Sequence, residues 1–261
     1  MKKWKWALAG AAGGLTAAAA VHRRLLHTEQ EQLTAPGTMV EVNGHRMHVY
    51  AEGPEEMVQR QKDQGQKEQG QEEQDGSGGK GHNEAITLVF LSGGGTAAPV
   101  YDFRPLYRKL SSCYRCVVVE KAGYGYSEIK KRSRQLDAML EETRLALRLA
   151  GEKGPFVLLP HSMSGLEAIY WAQKYPDEVM GIVGMDMAFP KAYENKKANP
   201  GSLKLMGMLT FFGIQRCPLL QVVGKEGLTE EEYRQAKLLG NRNFLKTGGP
   251  GEAAILYTQP Q

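Results

Sequence analysis

Four short apolar runs without alternation punctuate the chain: ITLVFL at 86–91, CVVVE at 116–120, FVLL at 156–159 and VMGIVGMDM at 179–187. Runs of this kind predict strands buried on both faces of a sheet. Between them the period changes. Leu136, Met139, Leu140, Thr143, Leu147 and Ala150 recur every three or four residues. That spacing places them on one face of a helix over 135–150, which Gly151 can stop. Further helices are predicted over about 101–111 and over 164–175, the latter ending before Pro176. Upstream, VEVNGHRMHVY at 40–50 has two strand-like arms around Asn43-Gly44. That dipeptide suits the positive φ angles of a tight hairpin turn. Strands alternating with helices predict an α/β fold: a mostly parallel sheet with helices on both faces, here with an antiparallel edge. Ligands of such sheets gather at the carboxyl ends of the strands. Those ends read SGGG, KAGYGYS, PHSMSG and MDMAFP.

Two segments break the pattern. Glu55 to Glu84 carries seven glutamines, many charges and almost nothing apolar. It cannot bury enough surface to offset its ordering entropy, so it reads as a disordered insert at 55–84 within a domain. The N-terminus, MKKWKWALAGAAGGLTAAAAVHRRLLH, has a 15-residue mildly apolar stretch, Ala7 to Val21, between basic ends. It reads as a signal peptide or a membrane anchor over 1–28, with the main domain extracytoplasmic, at the cell membrane or secreted.

Charge then narrows the partners. Of the net +4, Lys2, Lys3, Lys5, Arg23 and Arg24 come before the first acidic residue, Glu29. The remainder is close to neutral, so no nucleic-acid face is expected. Three cysteines, Cys113, Cys116 and Cys217, form no disulfide framework. The lone Cys113–Cys116 pair lacks the further ligands of a zinc site, so the thiols read as buried and structural. No metal or cofactor is called for.

The candidate chemistry centres on Ser162, inside Pro160-His161-Ser162-Met163-Ser164-Gly165, after a strand and before a helix. The usual signature of a nucleophile on such a turn is G-x-S-x-G, with small flanks because the turn is tight. Proline and serine replace the glycines here. The Met163 N–H, at the start of the helix, is placed to meet developing negative charge. A second donor is expected from Gly93-Gly94-Gly95, where glycine lets backbone approach a substrate.

These blocks resemble the α/β-hydrolase family from about Met39 to Pro190, through VNGHRMHVYAEG, LVFLSGGG, VVVEKAGYGYSE, PHSMSGLEAIYWAQKYPDEV and GIVGMDM. They are most similar to Gram-positive bacterial members with an N-terminal membrane segment. The resemblance implies an α/β-hydrolase core at 38–189, a helical cap at 190–245 and an irregular tail at 246–261. It implies Ser162 as nucleophile, Met163 and Gly94 as oxyanion donors, and a small-molecule ester or amide as substrate. Glu120 falls on a structural acidic position of KAGYGYSE. Within the presumed cap, Thr229-Glu230-Glu231-Glu232 predicts a capping box.

In that family the order is serine, acid, histidine. Asp186 stands at a strand end where an acid is possible. The six histidines are His22, His27, His45, His48, His82 and His161, and none follows Met163. His161 is expected to point away from Ser162, and His45 and His48 to sit on the hairpin at the far edge of the sheet. The last two strands have no counterpart, so the chain reads as C-terminally truncated. Two functions follow as expectations: a serine hydrolase acting through a Ser162 acyl-enzyme, or an inactive hydrolase-like protein that binds a ligand or partner.

Overall fold

The computed structural model describes residues 2–55, 85–130, 132–192, 200–217 and 223–244. Almost all of the glutamine-rich insert and the whole of the tail lie outside the described residues. Six strands form one sheet: β1 (Thr38–Val42), β2 (His45–Glu52), β3 (Thr87–Leu91), β4 (Arg115–Glu120), β5 (Phe156–Pro160) and β6 (Val179–Ile182). Their spatial order is β1-β2-β4-β3-β5-β6. β1 and β2 form the antiparallel hairpin, with Asn43 and Gly44 at φ of 48° and 77°. β2 runs antiparallel to β4, and β4, β3, β5 and β6 are mutually parallel.

The continuous apolar runs bury both faces because alternate residues feed two cores. Val89, Leu91, Val117, Val119 and Leu158 pack with Leu140, Leu147 and Trp171 on one side. Leu88, Phe90, Cys116, Val118 and Leu159 pack with Phe103 and Tyr107 on the other. The first side is covered by α4 (Leu136–Leu149) and α5 (Ser164–Lys174). The second is covered by α2 (Pro99–Asp102) and α3 (Arg104–Leu110). The sequence predicts one helix there. Pro105 lacks an N–H and fits a helix start, so the segment restarts at Arg104 instead of running on.

The last apolar run is strand only at Val179–Ile182, with one further bridge between Met185 and His161. Among the cysteines, Cys116 is buried and its thiol is pushed up to about 12 by that burial, then by Glu52. Cys113 is exposed, because it sits in the turn after α3 and not on β4, which corrects its expected burial.

The N-terminal segment is one helix, α1 (Lys2–Gln30). No described helix is long and apolar enough to cross a membrane. Fifteen helical residues reach only ~22 Å, against a hydrocarbon core of about 30 Å, and alanine and glycine are weakly apolar. The transmembrane and signal-peptide expectations therefore find no support in α1, whose C-terminal half is instead built into the body. His22 is buried and accepts from Arg216 Nε at 2.9 Å, and Arg216 pairs with Glu29 at 2.6 Å. These contacts tie α1 to a 3-10 turn (Ile214–Arg216) that follows α6 (Pro200–Phe211).

The last described helix, α7 (Glu230–Asn243), starts in the expected capping box. Thr229 Oγ1 accepts from the Glu232 N–H at 3.2 Å, and Glu232 Oε2 accepts from the Thr229 N–H at 2.8 Å. Its far end reaches the core loops, where Asn243 Nδ2 donates to the Ala97 and Gly125 carbonyls at 2.8 Å.

Candidate active site

Ser162 is held in the left-handed region, with φ of 54°, between the last residue of β5 and the first turn of α5. A non-glycine residue there stores backbone strain that the surroundings must enforce. They do so from three sides. Ser164 Oγ donates to the Leu91 carbonyl at 2.6 Å and accepts from the His161 N–H at 2.9 Å, fastening the turn to the end of β3. That is a task glycine could not perform, and it explains serine at this flank. The Ala188 N–H donates to the Ser162 carbonyl at 2.8 Å, and the Met185 N–H to the Pro160 carbonyl at 2.9 Å. The loop after β6 approaches so closely that a Cβ on Gly165 would collide with the Ala188 carbonyl. The tight position of the motif is therefore Gly165, one residue later than the usual spacing.

The glycine loop lies against the serine. A Cβ on Gly93 would stand 2.8 Å from Ser162 Cβ and 3.0 Å from the His161 carbonyl. Gly93 is buried, and Gly94, the expected donor, is exposed next to it. Gly95 is fixed by donation of its N–H to Tyr124 Oη at 3.1 Å. Met163 forms the N-cap of α5, and its N–H has no hydrogen-bond partner among the described residues. The elbow therefore leaves the Met163 N–H unengaged beside Ser162, with Gly93 of the glycine loop packed against the serine.

The acid and the base are placed less completely. Asp186 lies one residue past the bridge that joins the β6 extension to the elbow, exposed, with φ of 48°. Among the described residues it makes no side-chain hydrogen bond or ion pair. No described histidine hydrogen-bonds Ser162. His161 turns its ring edge to Phe103, at 6.4 Å between centroids, in line with the expectation. His22 and His27 lie on α1, and His82 lies outside the described residues.

His45 and His48 lie on the hairpin at one edge of the sheet, as expected. β2 is an inner strand next to β4, so His48 is wholly buried, with Nδ1 2.9 Å from Glu120 Oε2. Its Nε2 contacts the Pro36 carbonyl. Burial pulls its pKa down, but the Glu120 carboxylate and that carbonyl more than reverse this, and the net direction is up. Both ring nitrogens are engaged, so this acid–imidazole pair is structural. Glu120 also accepts from the Val100 N–H at 3.0 Å and the Tyr126 N–H at 2.7 Å, which organises the loops at the strand ends. His45 is also buried; desolvation lowers its pKa, and Glu142 stands 3.9 Å away.

Two features here are not legible in the sequence. One is a buried ion pair beneath the elbow, between Lys121 Nζ and Glu167 Oε2 at 2.5 Å. Lys121 also donates to the Ser92 carbonyl at 3.2 Å, so the pair joins α5, β4 and the glycine loop. The other is a cavity of about 220 Å³ beside that loop, lined by Gly95, Thr96, Ala98, Asp102, Val223 and Phe244, among others. Asp102 is exposed at the wall, yet the low-dielectric protein around it, then Glu120, push its carboxyl up to about 7.

A strained serine at a strand-to-helix turn, facing a glycine loop at the carboxyl ends of a mostly parallel sheet, defines the class. Residues 86–210 match the family described as alpha/beta hydrolase fold, and the sheet has the fold of its α/β-hydrolase neighbours. The uncharacterized protein YbdG of Bacillus subtilis (strain 168) is 38% identical over 232 residues, a match covering 86% of this chain and 62% of that protein. The chain thus spans under two thirds of the curated relative's length. Among solved structures, a probable hydrolytic enzyme from Pseudomonas aeruginosa PAO1 is 16% identical with a TM-score of 0.54, covering 88% of this chain and 69% of that one. An N-formylmaleamic acid deformylase from Pseudomonas putida S16 is 19% identical with a TM-score of 0.51, covering 85% and 74%. At these identities the likeness is one of fold.

Proposed function

We propose that the protein is a serine hydrolase that cleaves an ester or amide of a small molecule through a Ser162 acyl-enzyme. The observation that carries this reading is the left-handed backbone of Ser162, fastened by Ser164 and seated on Gly93. In the proposed reaction Ser162 Oγ attacks the carbonyl carbon, and the oxygen that becomes negative turns to the Met163 and Gly94 N–H groups. The amine or alcohol then leaves with a proton, and water releases the acyl group. Asp186, exposed after β6, is the acid proposed to orient an imidazole base. No described residue supplies that imidazole. In serine hydrolases, loss of the base costs on the order of 10⁶ in kcat. The oxyanion hole and binding alone keep about 10³–10⁴ over water.

The lack of an imidazole at Ser162 among the described residues favours a second reading, in which the chain is a catalytically inactive, hydrolase-like protein that binds a ligand or partner. Hydrolysis of p-nitrophenyl acetate by the protein and by Ser162→Ala separates the two. A rate above that of Ser162→Ala supports the first reading, and equal rates support the second.

The N-terminal segment is further proposed to bring the chain to a membrane, with the main domain on the extracytoplasmic side. Its support is the basic cluster of Lys2, Lys3 and Lys5 ahead of Ala7–Val21. Cysteine-accessibility labelling of an introduced surface cysteine in intact cells tests the side. Labelling only after lysis would refute it.

A further inference from the structure

α6 carries an apolar stripe that stays about half exposed among the described residues. Leu205, Met208 and Phe211 recur every third residue, so they share one face, and each is between 49 and 53% exposed. Ile214, just beyond the helix, extends it at 38%. Large side chains standing singly on a surface need no explanation, but an aligned row on one helix face marks a contact surface.

The neighbour of that stripe identifies the contact. The Arg23 guanidinium of α1 lies 5.2 Å from the Phe211 ring centroid, so α1 and α6 meet at the stripe. Among the described residues, the first buried position of α1 is Ala19. His22 and Glu29 hold it there, whereas residues 13–18 are all exposed. From Ala19 to Lys2 the helix extends ~25 Å. Its first acidic residue is Glu29, after Lys2, Lys3, Lys5, Arg23 and Arg24. An exposed apolar row beside a helix whose charges before Glu29 are all cationic matches an anionic lipid surface: acyl chains for the row, headgroups for the cations. A second copy of the chain would set these cations against themselves.

We infer that the Leu205–Met208–Phe211 face of α6 rests on an anionic lipid bilayer at the root of α1, so that the body docks on the membrane surface without being spanned through it. The inference rests on the proposal that the N-terminal segment meets a membrane. It adds a second contact that needs no crossing helix, and it turns α6 and the attached 3-10 turn toward lipid.

Co-sedimentation of the full chain with phosphatidylglycerol-containing vesicles, and with phosphatidylcholine alone, tests it. The variant Leu205→Ser/Met208→Ser/Phe211→Ser removes the row, and its far-UV circular dichroism shows whether it folds. A milder Phe211→Ser variant serves if it does not. The expected result is binding to the anionic vesicles that falls about ten-fold or more in the triple variant and measurably in Phe211→Ser. Unchanged binding by folded variants would overturn the inference. So would a wild-type chain that dimerises through this face without vesicles and loses the dimer in the variant. Lys2→Glu/Lys3→Glu/Lys5→Glu keeps the two proposals apart. If that variant alone loses binding, the N-terminal reading stands and the α6 contact falls. If only the α6 variants lose it, the reverse holds.

Discussion

At the residue scale, the site is a matter of where a side chain has no room. Gly93 has none, because Ser162 occupies the place of its Cβ. Gly93→Ala should therefore push the loop off the elbow, at an overpacking cost of about 1–3 kcal/mol. Urea unfolding reads that cost directly, and a variant as stable as the parent would show that the loop yields freely. His48 gives a second residue-scale prediction. Its folded pKa lies above the unfolded value of about 6.5. Its contribution is thus complete below that value and is lost as pH rises through the folded pKa. The stability gap between the protein and His48→Gln should be widest near pH 6 and narrower near pH 9. A gap that widens with pH would reverse the sign argued from Glu120.

At the element scale, α7 ties the outer helices to the strand ends, and its start is set by local chemistry. Thr229→Ala removes the side-chain acceptor of the capping box and should cost about 1 kcal/mol. Thermal unfolding with Glu230→Ala as a control checks this, and equal loss in both would point to general helix propensity. The elements were largely readable in advance, because their signals are local. Asn43-Gly44, the doubly buried runs and Thr229–Glu232 each encode geometry within a few residues. The split of the helix near Pro105 was missed, although proline's missing N–H carried its signal. The pairing of His48 with Glu120 was not, since it depends on β2 lying next to β4, 72 residues apart in sequence.

At the scale of the whole molecule, the sheet brings four strand ends together, and Ser162 and the Gly93–Gly95 loop, proposed as the nucleophile half of a hydrolase site, meet there. The order of PHSMSG after SGGG showed this half in the sequence, because turn and loop are each contiguous. Lys121–Glu167 and the cavity beside Asp102 join segments from β3, β4, α5 and α7, and no local pattern announces them. No described residue supplies the base, which suggests supplying one from solution. The decisive measurement is therefore the rate of fluorophosphonate modification of the protein and of Ser162→Ala, by intact mass, with increasing free imidazole. A prebuilt nucleophile and oxyanion site predict modification at Ser162 alone, accelerated by imidazole and absent in Ser162→Ala. No modification of the folded protein at any imidazole concentration would contradict the account and leave the inactive, ligand-binding reading in its place.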